Sequence, residues 1–431
     1  MRRVLRSTAV EAALFAVLSI FLLSGVDLVP FHPDESSLLF QSRDLEALVT
    51  GPLSMAWTPG NAPTPEMTYR LLNAPLAKYV LGVARRLAGY GPDSVSVDWD
   101  WSKSWGQNVV AGALPPAPLL HGARTASTVA LLGAVIALYL AGRKAGGRAA
   151  GLAAALLFGL NALSLLHGRR AMAEGTMLFG VAAATLGLLA ADRRPFLAGL
   201  AVALAVNAKT STLPLLLIGW LATVWTADPA GRSVSSQFGR TARYAIGVIL
   251  LTAVLQPALW RHPLGALQAM WDTRRDLLAR QVEDIQRLAP DHVAADLPQR
   301  SMILVANLYL APLQYSEVGN YLVEQRASVQ AYESNVSHTL LRGFVGGGLL
   351  LGLTLLGMIW ALRRARLAGP DTARVYGLLG LATLVQGLAL VSAIPLPFQR
   401  YTLPLLPFLC LWQGLGLVAG VPRTETKRRP G

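Results

Sequence analysis

The chain has 431 residues, 53% hydrophobic and 14% charged, with 38 Lys and Arg against 24 Asp and Glu. Uncharged windows of 14 to 25 residues recur along it, which excludes intrinsic disorder and an ordinary soluble enzyme. The surplus of 14 positive charges stands on an apolar background, not on the dense Lys/Arg stripes of a nucleic-acid binder.

This composition predicts an all-α polytopic integral membrane protein. The first apolar stretch lies between Glu11 and Asp27 and continues to Val29. It follows MRRVLR without a clean small-x-small cleavage site, so it reads as an uncleaved anchor. A long outer segment, 31–122, comes next. PDESSLLFQSRDLEALV (33–49) has amphipathic helical spacing, and so has TYRLLNAPLAKYVLGVARRLAG (68–89). In the second, Leu71, Leu72, Pro75, Leu76, Tyr79, Val80 and Val83 fall on one side. Two helices along the membrane surface are expected, joined by the Pro/Gly-rich SMAWTPGNAPTPE.

Spans are then expected at 124–143, 148–167, 174–192, 194–209, 209–228 and 243–261. A second outer segment, 257–341, separates them from spans at 342–363, 374–400 and 400–423, ten spans in all. SMILVANLYLAPLQYS (301–316) carries no charge, but Pro312 and its polar ends fit an interfacial or re-entrant helix. The natural division is an N-terminal catalytic module, 1–226, and a C-terminal membrane module, 227–431. Placing both termini in the cytoplasm puts 19 basic residues inside with Asp192, Asp228, Asp371 and Glu425, and Glu11 at the edge. The outer side then balances 19 basic residues against 19 acids. That asymmetry predicts a multi-pass protein of the plasma membrane, its inner face touching anionic lipids. Cys410 is the single cysteine, so no intramolecular disulfide is possible.

Five stretches carry residues able to do chemistry. FHPDES (31–36) sets His32, Asp34 and Glu35 where the first span ends. Pro33 holds His32 extended and starts a helix, so the acids either complement the helix dipole or supply a general base. In LLHGRRAMAEG (165–175), Arg170 and Glu174 are spaced for an i,i+4 pair. They are either a locally satisfied snorkelling cation or a phosphate fork with its orienting acid. NAKTST (207–212) places Lys209 at a membrane boundary. IPLPFQRYTLPLLPF (394–408) brackets Arg400 and Tyr401 with prolines, either a tight turn or the lining of a wet cavity. VDWDWSKSW (97–105) holds Trp99 and Trp101 between acids, which suits an interfacial belt or a sugar-stacking surface. The six histidines show no metal-ligand spacing. No cofactor is required, and a divalent metal at Asp34 and His32 has only residue type behind it.

HPDE after the first span, NAPLAKY, HGRRAMAE, AKTST and PFQRYTLPLLP, in this order, resemble the GT-C membrane glycosyltransferases. The likeness is to the protein O-mannosyltransferase and lipid A aminoarabinose transferase family, the phospholipid carrier-dependent enzymes of bacteria and archaea. It covers the first six spans and, by one motif, the last two. The resemblance implies a sugar transferred with inversion from a polyprenyl-phosphate carrier to a lipid, glycan or protein hydroxyl on the outer face. It implies Asp34 as base with Glu35 beside it. A phosphate leaving group needs positive charge where negative charge grows, which points to Arg170, Lys209 and Arg400, with Lys78 fourth, on the donor phosphate. Glu174 would orient Arg170; His32, Tyr401, Trp99 and Trp101 would orient or bind substrate. Where that family often has His, this chain has Asn73. A transporter or flippase for a lipid-linked or anionic solute, or a non-catalytic membrane subunit, are the other readings of the same charges.

Overall fold

Proline sets where many helices begin, because a helix start leaves its first N–H groups without partners anyway. Pro33, Pro65, Pro75, Pro195, Pro214 and Pro263 each open one. The computed structural model describes residues 2–60, 63–95, 97–226, 233–317, 321–393 and 395–419, and no strand occurs among them. The basic tail 423–429, Asp228, Arg232 and Glu425, counted above toward the inner face, lie outside the described residues.

The segment expected as an anchor forms α1 (Arg2–Ser24). The segment expected outside, 31–122, folds as α2 (Pro33–Gln41), α3 (Asp44–Thr50), α4 (Pro65–Leu72), α5 (Pro75–Leu87) and α6 (Trp105–Val110). Then come α7 (Ala117–Gly146), α8 (Arg148–Gly159), α9 (Ala162–His167), α10 (Ala173–Ala190), α11 (Pro195–Ala208), α12 (Pro214–Val224) and α13 (Val234–Leu255). The second outer segment holds α14 (Pro263–Leu288), α15 (Leu297–Val305) with a π turn over Ala306–Leu310, α16 (Leu322–Glu333) and α17 (Val336–Thr339). The chain returns through α18 (Gly343–Leu367), α19 (Pro370–Ala393), a 3-10 turn over Gln399–Leu405, and α20 (Leu406–Leu417).

Every one of the ten apolar windows carries helix, but five helices among the described residues are long and apolar enough to cross a membrane: α7, α10, α13, α18 and α19. The apolar part of α1, and α8, α11 and the stretch 210–224, are shorter. The causes are local. The third window breaks at Asn161, whose side chain accepts from the Leu163 N–H at 2.9 Å and caps α9. The sixth starts with a 3-10 turn ahead of Pro214, and the tenth is interrupted by Pro404.

Both expected surface helices are broken in two. Ala74 precedes Pro75 and takes an extended ψ of 143°, which separates α4 from α5. The stripe that α5 buries also differs from expectation. Pro75 and Tyr79 are buried as expected, but Ala77, Lys78, Leu81, Ala84 and Arg85 also face inward, and Val83 is exposed. The inward face carries two cations: Lys78 and Arg85 meet Asp44 and Glu46 of α3, so ion pairing as well as apolar spacing marks the buried side.

One apolar core threads α1, α7 to α12, α19 and α20, so it draws on both sides of residue 226. A second joins Leu38, Leu39, Ala77 and Leu81 of the outer layer to Leu119 and Ala123 of α7 and to Ala171 and Met172. α18 and α20 meet backbone to backbone, since a Cβ on Gly357 would collide with the Trp412 carbonyl and one on Gly416 with that of Leu353.

Candidate active site

The site is built from the start of α2. Pro33 holds His32 extended (φ −124°, ψ 134°) and His32 becomes the N-cap. Its Nδ1 accepts from the Asp34 N–H at 3.1 Å, and the Glu35 carboxylate accepts from the His32 N–H at 3.0 Å. This capping box sends two adjacent acids in different directions.

Glu35 points inward and is fully buried. It accepts from Nε and Nη2 of Arg124, both at 2.8 Å, and from the Ala171 N–H at 2.8 Å. Burial alone would raise its pKa, but the Arg124 charge and these hydrogen bonds hold it below the usual carboxylate range. Glu35 is thus a buried strut between α2, α7 and the 169–172 turn, with no route to a substrate. This corrects its expected place beside the base.

Asp34 points outward, with its side chain 26% exposed. Its Oδ2 is ion-paired with Nη1 of Arg400. Arg400 Nε lies 2.6 Å from Glu317 Oε1, and His32 Nε2 donates to Glu317 Oε2 at 3.0 Å. Since Nδ1 of His32 accepts, Nε2 carries the proton. Burial opposes the charge on Arg400, yet Glu317 and Asp34 raise its pKa well above the ordinary value. Burial would likewise raise Glu317, but Arg400 and His32 hold it low. Asp34 therefore sits in a fixed frame of Arg400, Glu317 and His32.

A second pair adjoins the first. Lys209 donates to Glu174 Oε1 at 2.5 Å. The Lys209 ammonium and the Arg400 guanidinium each lie 5.6 Å from the Tyr401 ring centroid. Arg274 of α14 is within electrostatic reach of Lys209 and Tyr401, and no ion pair engages it among the described residues. His167 is buried behind, near Glu174, Arg400 and His32, with neither ring nitrogen hydrogen-bonded among the described residues.

Three expected phosphate ligands or sugar platforms stand elsewhere. Arg170 is buried; it donates to the Pro30 carbonyl at 3.2 Å and the Tyr315 carbonyl at 2.8 Å. Its expected i,i+4 pair with Glu174 is not formed, because Glu174 meets Lys209 instead. The neighbouring Arg169 donates to the carbonyls of Leu22 and Phe21, so the two arginines strap the end of α1 and the outer loops together. Lys78 is buried against the Tyr69 carbonyl at 3.0 Å and Asp44 at 3.5 Å. Asn73 donates to Gln41 at 3.0 Å. Trp99 is buried against Phe31, Trp105 and Tyr321. Trp101 is 44% exposed, with its ring 6.3 Å from that of His32, so it stands on the rim of the site.

Burial pushes the Lys78 pKa down to about 8 despite Asp44. An unfolded Lys titrates near ~10.4, so between these values the unfolded chain binds more protons and stability rises with pH. Lys78→Met should flatten the rise in melting temperature between about pH 8 and pH 10; an unchanged rise would assign it to other groups.

Four residues of this region escaped the sequence reading. Glu317 had one signal, as the first charge after the uncharged 301–316. Arg124 served only to mark the end of a span. Arg274 is one of several cations on an amphipathic helix, and His167 closes an apolar run. Among the described residues no group of three or more His, Cys, Asp or Glu is arranged to hold a metal ion. Arg400 stands as the cation between Asp34 and Glu317.

No protein-family model matches the chain, and no curated protein matches it. Among solved structures it is similar to the oligosaccharyltransferase of Archaeoglobus fulgidus in its apo form, at 12% identity and a TM-score of 0.48, over 94% of this chain and 50% of that one. It is similar to the same enzyme tethered to an acceptor peptide containing the NVT sequon, at 12% identity and a TM-score of 0.49, over 94% and 49% of the two chains. The archaeal oligosaccharyltransferase AglB in complex with an inhibitory peptide and a dolichol-phosphate gives 10% identity and a TM-score of 0.47, over 95% and 50%. The chain spans about half the length of these solved chains, all of them oligosaccharyltransferases.

Proposed function

We propose that the protein is an inverting membrane glycosyltransferase. It moves a sugar from a polyprenyl-phosphate carrier to a hydroxyl acceptor (lipid, glycan or protein) at the outer face. In this reading the ten apolar segments all traverse or enter the bilayer and both termini are cytoplasmic. The observation that carries it is Asp34: a partly open carboxylate locked by Arg400, next to Tyr401, whose ring Lys209 approaches and within whose electrostatic reach Arg274 lies.

The chemistry follows from that placement. The acceptor oxygen attacks C1 of the sugar as its proton passes to the Asp34 carboxylate. The bond from C1 to the phosphate oxygen breaks on the opposite face, and the phosphate leaves with the electron pair. Lys209 and Arg274 stabilise the negative charge that grows there. Arg400 keeps Asp34 in place. One displacement with one base inverts C1 and needs no second catalytic carboxylate. Trp101 on the rim offers an aromatic face to the sugar ring.

The direct test is transfer of labelled sugar from a polyprenyl-phosphate donor in proteoliposomes, with the lost glycan or glycolipid in a deletion strain naming the acceptor. Flux of a lipid-linked solute without covalent product would replace this reading with a transporter. Against that alternative, α10 carries no ionisable residue between Glu174 and Asp192, so the charges lie at its ends and not at the midplane. Arg274→Ala should raise the donor KM about tenfold with a smaller effect on kcat, as expected for loss of one charge-assisted contact to phosphate. An unchanged KM would remove Arg274 from the donor site.

A further inference from the structure

At the end of α10 opposite Glu174, two apolar grooves flank the outward side of α7. A cavity of about 460 Å³ runs between α7, α10 and α11, walled by small residues such as Gly133, Ala137, Ala183 and Gly187. A second, of about 290 Å³, lies between α1 and α7 against Phe15, Leu18 and Tyr139. Ile136 and Leu140 line both and form the ridge between them. From Gly133 to Leu140 the first groove extends ~10 Å at helical rise, most of the depth of one leaflet.

The first groove ends on Arg194. Arg193 and Arg194 are exposed, no ion pair engages them among the described residues, and both act on the charge of Lys144. The nearby acid, Asp192, is taken by Arg374 at 3.3 Å. Arg374 is itself buried, donating to the Ala222 carbonyl at 2.8 Å. The mouth is therefore positive while the grooves are apolar and two-lobed.

We infer that this is a binding site for an anionic diacyl phospholipid. Its two chains straddle the Ile136–Leu140 ridge, and its phosphate meets Arg193, Arg194 and Lys144. The inference rests on the membrane reading of the fold and not on the transfer reaction.

Native mass spectrometry of the intact protein released from nanodiscs of equal phosphatidylglycerol and phosphatidylcholine tests it by lipid mass. Wild type should retain phosphatidylglycerol in preference. The Arg193→Gln/Arg194→Gln variant should lower that preference about tenfold. Ala183→Phe, which fills the larger groove, should lower retention of both lipids. The inference is overturned if wild type shows no preference, if either variant behaves as wild type, or if Arg363→Gln/Arg366→Gln at the end of α18 lowers the preference equally. That last result would mean a general basic belt without a built site.

Discussion

Asp34→Asn is expected to lower sugar transfer by about 10²- to 10⁴-fold, the usual worth of a positioned general base. The substitution keeps the shape of the side chain. The His32 N-cap bond runs to the backbone N–H of residue 34 and is untouched. Glu317 still holds Arg400. The loss should therefore fall on kcat, with expression, melting temperature and donor binding close to wild type. Transfer within about threefold of wild type would remove Asp34 as the base. A collapse of expression would instead show that the Asp34–Arg400 pair is structural. Glu317→Gln separates the two roles. It leaves the base in place but loosens its frame, so activity should fall less than in Asp34→Asn.

Arg124→Met is expected to have the largest effect on stability. Glu35 is fully buried, and Arg124 supplies two of its hydrogen bonds and its counter-charge. Removing one partner of such a pair leaves an uncompensated charge and costs about 3–5 kcal/mol. The Glu35→Leu/Arg124→Leu double variant removes both charges and should be less destabilised than Arg124→Met. Thermal melts of the purified proteins decide it. If the single variant melts with wild type, the pair does not hold α2 to α7.

The two variants bear on adjacent residues that the sequence could not tell apart. Asp34 and Glu35 follow one another in the first turn of α2, and only the family resemblance marked Asp34 as the base. Successive positions on a helix point about 100° apart, so one faces solvent when the other faces the bundle. Which is which depends on where Arg124 of α7 stands. The same limit explains the cations. Arg170, Lys78 and Arg274 are all basic residues at or near a membrane boundary. Burial against carbonyls or Asp44 occupies the first two, while the third lies within electrostatic reach of Lys209. None of this has a local signature.

By itself the sequence determined the apolar, all-helical class, the helical start at His32-Pro33, and a list of candidates in which Asp34, Lys209, Glu174, Arg400 and Tyr401 stood alongside Glu35, Lys78, Arg170 and Trp99. Hydropathy, proline geometry and charge at span ends are local properties, legible without coordinates. Tertiary structure decided which acid is open, which cations are already paired, and that Glu317 completes the frame. The Asp34–Arg400 contact joins residues 366 apart in the chain. Helical phase and the packing of distant segments set such contacts, and neither is encoded in any short stretch of residues.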